Sequence, residues 1–197
     1  MADKEIFKDR ERSLEEEYFR KEDAKLLQKL RERDRLEAIA KALAEKLQAD
    51  DPALLRRVMD LGATAETGSA FLLAPLVQVA WADGTVTDAE RDEVLRIAEE
   101  RGIEAGSPAH AQLGAWLRTR PPDALFDAAL AALKVGLSVL SPEERAERVK
   151  RIADGCREVA KASGGLSRLL GLGSGISSDE ESVLETITAT LRAPDAR

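Results

Sequence analysis

Apolar and polar positions recur along this chain with the period of a helix, and no stretch alternates over a strand's length. A stripe at Leu36, Ile39, Ala40, Leu43 and Leu47 closes a long charged helix. Ser69 to Ala82 is apolar nearly all round, through Phe71, Leu72, Leu73, Leu76, Val77, Val79, Ala80 and Trp81. A helix without a polar face belongs at the centre of its domain. Pro75 lies inside it and predicts a kink or break near Phe71–Ala74. Shorter stripes follow at Val94, Ile97 and Ala98, and at Leu113, Trp116 and Leu117. Asp123 to Leu140 is dominated by Leu and Ala and reads as a second interior helix. The cleanest period is Val149, Ile152, Ala153, Cys156, Val159 and Ala160, and the last helix buries Val183, Leu184, Ile187 and Leu191. The expected fold class is all-α, a compact helical bundle preceded by a long charged helix.

The helix ends are marked in the sequence. Asp50-Asp51-Pro52 places an acidic cap before Pro at the first helical position, and Gly62 closes that short helix. Thr87 with Glu90, and Ser177 with Glu180, have capping-box spacing. Ser107-Pro108 and Ser141-Pro142-Glu143-Glu144 restart the chain, while Gly102 and Arg120-Pro121-Pro122 stop it. These marks divide the chain into a charged, partly exposed N-terminal helix over residues 1–48 and a helical domain over 49–197. Glu16/Arg20 and Glu17/Lys21 are spaced to support an exposed helix. Tyr18 and Phe19 on that helix serve either as anchors to the domain or as anchors for a partner protein.

Composition removes several function classes. The formal net charge is -7, which disfavours nucleic acid as a partner. Hydrophobic residues make up 44% and aromatics only 4%, which suits close helix packing by Ala and Leu. The opening Met1-Ala2-Asp3-Lys4-Glu5 is charged and lacks the apolar run of a secretory signal. The apolar run around Phe71–Trp81 is too short to span a bilayer. A lone Cys156, in a helical stripe, predicts an inert buried thiol in a reducing compartment. Together these point to a soluble, cytoplasmic protein. Gly171-Leu172-Gly173-Ser174-Gly175 lacks the Lys of a phosphate loop, and His110 has no ligand partner in sequence and reads as a helix-surface residue. No nucleophile–base pairing assembles, so no enzymatic activity is expected.

Two turns correspond. Val79-Ala80-Trp81-Ala82-Asp83-Gly84 matches Val159-Ala160-Lys161-Ala162-Ser163-Gly164, and Val86-Thr87-Asp88-Ala89-Glu90 matches Ile176-Ser177-Ser178-Asp179-Glu180. Val94 and Ile97 then fall on Leu184 and Ile187, with an insert, Gly165–Ser174, in the second copy only. The pattern predicts two helix-turn-helix units that pack as a pseudo-symmetric pair. Ala82-Asp83-Gly84 followed by a hydroxyl cap and Glu90, after an apolar helix, resembles the tellurite-resistance TerB-like domain over about residues 71–191. The resemblance implies an all-helical module associated with toxic-oxyanion stress. It also implies a divalent cation, calcium or similar, held by Asp83, Glu90 and Glu180. Ser163 stands where the second Asp would be, and the few carboxylates need carbonyls and water to complete a cation shell. The alternative is structural: Asp83 satisfies turn amides and Glu90 caps its helix.

Glu15-Glu16-Glu17-Tyr18-Phe19-Arg20, followed by Leu27 and Leu30, is similar to the inhibitory helix of the mitochondrial F1-ATPase inhibitor protein. That resemblance implies a protein partner, with Tyr18, Phe19, Leu27 and Leu30 as apolar contacts and Glu16, Glu17 and Arg20 as charged ones. The helical domain would then act as a handle or as a homodimerisation unit. The histidine-rich stretch of that family is absent here, because His110 is the single histidine.

Overall fold

The computed structural model describes residues 20–23, 25–31, 34, 37–42, 44–45, 51–163 and 176–193. The chain divides into two compact units, Met1–Ile39 and Ala40–Arg197. In the first unit every described residue is helical, and all but Ile39 are exposed. Lys25 Nζ and Glu22 form an ion pair of 3.0 Å one turn apart.

In the second unit, the described residues from 51 onward form eight helices: α1 (Pro52–Asp60), α2 (Gly68–Phe71), α3 (Ala74–Ala80), α4 (Asp88–Glu100), α5 (Pro108–Arg118), α6 (Asp123–Ser138), α7 (Pro142–Ser163) and α8 (Ser178–Arg192). No strand occurs among the described residues. The all-α expectation therefore holds at the level of fold class. A side-chain cap starts five of these eight helices (α1, α4, α5, α7 and α8) where the sequence marks it. The Asp51 carboxylate accepts from the amides of Ala53 and Leu54 at 2.9 and 3.2 Å, with Pro52 just inside the helix. Ser107 Oγ accepts from the His110 amide. Ser141 and Glu144 bond reciprocally, Ser141 donating to the carboxylate and accepting from the Glu144 amide.

Pro75 does break the apolar segment. The chain leaves α2 at Phe71 and re-enters a helix at Ala74, with Pro75 in the first turn of α3, where its missing N–H costs nothing. Six of the seven residues of α3 are buried, Gln78 being the exception. This short helix packs against α4, α5, α6, α7 and α8 and forms the centre of the bundle. α7 lies along α3, α4 and α8, burying Val149, Ile152, Ala153, Cys156, Val159 and Ala160 on one face. Phe71 meets Trp116 edge-on, with ring centroids 5.2 Å apart, and Trp81 Nε1 donates to the Trp116 carbonyl at 2.8 Å. These contacts fix the turn between α3 and α4 against α5. Val183, expected in the core, is only half-buried, because the buried face of α8 runs through Leu184, Ile187 and Leu191.

Candidate functional site

The turn after α3 is tight. Gly84 takes a φ of +90°, a conformation that favours glycine, and its amide bonds the Trp81 carbonyl at 3.0 Å. Asp83 Oδ1 accepts from the Thr85 amide at 2.9 Å and from the Thr85 hydroxyl at 3.2 Å, and the Asp83 side chain is exposed. The carboxylate thus supports its own turn.

Thr87 and Glu90 form a complete capping box at the start of α4. Thr87 Oγ1 accepts from the Glu90 amide at 3.2 Å, and Glu90 Oε2 accepts from the Thr87 amide and hydroxyl, each at 2.7 Å. The same device opens α8. Ser177 Oγ accepts from the Glu180 amide at 3.2 Å, and the Ser177 amide donates to Glu180 Oε2 at 2.6 Å. Exposed capping-box glutamates would face water. Glu90 and Glu180 are instead 1% and 2% exposed, the two buried charged residues among those described.

These two carboxyls meet. The Glu180 side chain hydrogen-bonds that of Glu90. Burial pushes the Glu90 carboxyl above its ordinary value of 4.5, and the Glu180 hydrogen bond and charge push it the same way, against the downward pull of the Thr87 donors. Burial beside a second carboxyl disfavours the charged form of Glu90, which is the direction of its shift. The arrangement makes the N-termini of α4 and α8 share one hydrogen-bonded acid pair. It can hold a proton, or give it up in exchange for a cation.

The residues expected to hold a metal are therefore only partly brought together. Glu90 and Glu180 touch, whereas Asp83 turns to Thr85, and no group of three His, Cys, Asp or Glu positioned to hold an ion occurs among the described residues. One oxygen of each glutamate is engaged by its cap. A hard cation takes about six to eight oxygens, so the pair fits one only as a foothold that carbonyls or water would complete.

Of the expected partner contacts, Glu16, Glu17, Tyr18 and Phe19 lie outside the described residues. Arg20, Leu27 and Leu30 are exposed on the N-terminal helix, and Leu26 joins them at 60% exposure. Cys156 is fully buried, and burial pushes its thiol up to about 12. His110 is not on the open surface as expected; it is half-buried, with Nε2 3.6 Å from Glu99 Oε1, because α5 packs against α4. Sequence spacing identifies both capping boxes, but it misses that their glutamates face each other. The matched apolar positions downstream of each box were the available signal. No described helix is long and apolar enough to cross a membrane. Comparison of the chain with family models, with curated proteins and with solved structures returns no match.

Proposed function

We propose that this chain is a non-catalytic helical module of the TerB-like, tellurite-resistance type, acting in stress response as a scaffold or sensor. The observation that carries the reading is the buried contact between Glu90 and Glu180, each the box residue of its own helix start. In this reading two helix-turn-helix units pack as a pseudo-symmetric pair, and equivalent residues meet at the axis. Burial of Val94 and Ile97 beside that of Leu184 and Ile187 supports the correspondence. The acid pair gives such a module something to sense, since two buried carboxyls in contact respond to a proton or a divalent cation. Calorimetric titration with calcium, zinc and manganese tests the cation part. Saturable heat that disappears in Glu90→Gln/Glu180→Gln is expected; no heat in the wild type, or heat unchanged by the double substitution, would sink it.

A second reading rests on the N-terminal helix, where Leu26, Leu27 and Leu30 are exposed together among charged neighbours. Exposed apolar anchors on one helix face suit a protein groove. In this reading the helix inhibits a rotary ATPase, as the resemblance over residues 15–31 implies. ATP hydrolysis by isolated enzyme should fall at micromolar protein and recover with Tyr18→Ala/Phe19→Ala; undiminished hydrolysis with the wild-type chain refutes it.

A further inference from the structure

A cavity of about 720 Å³ opens between the C-terminal ends of α4 and α6 and the middle of α7. It is separate from the acid pair, and none of the function readings above uses it. Part of its wall is aliphatic, formed by Leu72, Leu73, Ile97, Ile103, Leu137 and Ile152. Ligand pockets span roughly 300–1,000 Å³ and combine apolar walls with a few polar groups. Arg101, Arg148 and Arg151 supply those groups here.

The carboxylates that line the same cavity are each paired with an arginine that is not part of its lining. Glu100 and Glu158 both bond Arg96, the latter at 3.2 Å, and Asp154 bonds Arg157 at 2.7 Å. Arg151 pairs with Glu147 at 3.0 Å. Arg101 and Arg148 form no ion pair among the described residues. The Arg101 guanidinium crosses from the end of α4 to α7 and donates to the Arg151 carbonyl at 3.2 Å. Gly155 makes room for it: a Cβ there would stand 2.8 Å from Arg101 Nη2. The Arg101 side chain remains open to solvent, and partial desolvation of its guanidinium lowers the pKa; Arg151 and Arg148 act in the same sense, Cys156 and Glu158 in the opposite one. A guanidinium in this position gains from an added anion.

We infer that this cavity binds a single-chain anionic amphiphile of the fatty-acid class, with its carboxylate at Arg101 and Arg148 and its hydrocarbon chain along the aliphatic wall. Neither part suffices alone. A free anion would leave the apolar wall to water, and a neutral alkane would leave the guanidiniums unpaired. The positions of the carboxylates select against a cationic head group, because Glu100, Glu158 and Asp154 are already hydrogen-bonded to arginine.

Titration calorimetry of the full chain with dodecanoate, dodecanol and dodecyltrimethylammonium, all below micelle formation, tests this directly. Dodecanoate is expected to bind saturably and about tenfold or more tighter than the other two. Arg101→Gln/Arg148→Gln should weaken dodecanoate by a similar factor. Gly155→Ala is the second variant, because it keeps every charge and favours the helix, yet pushes the Arg101 guanidinium aside; it too should weaken binding while thermal unfolding stays at or above the wild-type temperature. Equal affinity for the alcohol or the ammonium overturns the proposal. So does dodecanoate binding that neither variant changes, or the absence of saturable heat. Displacement of dodecanoate by equimolar acetate would show that the aliphatic wall contributes nothing, which also overturns it.

Discussion

At the residue scale, two side chains are set apart by burial. Cys156 lies at the α7 face turned to the core, and its thiol ionises only near about 12, so it is essentially all thiol at neutral pH. Ellman's reagent should leave the native protein unmodified over hours and react with one thiol once the chain is unfolded; prompt reaction of the native form would contradict the buried placement. Glu90 has a pH signature. Its carboxyl binds a proton more tightly folded than unfolded, so its contribution to stability is fully present below about 4.5 and is lost as pH rises through the raised folded value. Glu90→Gln keeps an acceptor for the Thr87 amide and hydroxyl and removes the titration. Its melting temperature should therefore fall less than that of the wild type as pH rises above about 4.5. Parallel melting profiles for the two proteins would show that the acid pair does not carry this dependence. The burial of Glu90 could not be read from its spacing to Thr87, since the same four-residue box serves exposed helices equally well. Ser141–Glu144 is such a case, a reciprocal box in which both residues are exposed.

At the scale of single elements, the capped helix starts were the most legible part of the chain, because each of those five rests on a side chain within three residues of the amide it satisfies. Asp51, Thr87, Ser107, Ser141 and Ser177 all accept the bonds their positions predict. Pro75 likewise acts locally, and the segment divides where its ring requires. What could not be read is how neighbours redistribute exposure around a helix. Val183 sits beside Leu184 in the same apolar run, yet α8 turns Leu184 inward and leaves Val183 half-open. The caps also have a measurable weight. Thr87→Ala removes the hydroxyl that accepts from the Glu90 amide and donates to its carboxylate. Loss of such a cap costs about 1 kcal/mol. Here the cost should exceed that of Ser141→Ala, because the Thr87 box holds a buried carboxyl and the Ser141 box does not. Chemical denaturation of the two variants side by side measures the difference, and equal losses would mean that burial of Glu90 adds nothing to its cap.

At the scale of the helical unit, stability centres on one short helix. α3 has seven residues and touches five others, so its surroundings, and not its own length, hold it in place. The preceding helix, α2, delivers Phe71, 1% exposed, against the edge of Trp116, while the Trp81 indole ties the far end of α3 to the same residue's carbonyl. Trp116 thereby clamps both ends of the central helix. The strong apolar character of Phe71–Trp81 made the centrality of this segment legible, but its partner was not, because contacts 35 and 45 positions away leave no mark in local spacing. Phe71→Ala would open a void beneath that clamp at a site with no solvent to fill it. Substitutions of this kind cost about 3–5 kcal/mol, and for a chain of this size each kcal/mol lowers the melting temperature by roughly 2–4 °C. A fall of about 10 °C or more is therefore expected by differential scanning calorimetry, in a single cooperative transition. A change of under about 2 °C would mean that the Phe71–Trp116 contact is peripheral and that α3 is held from its other faces.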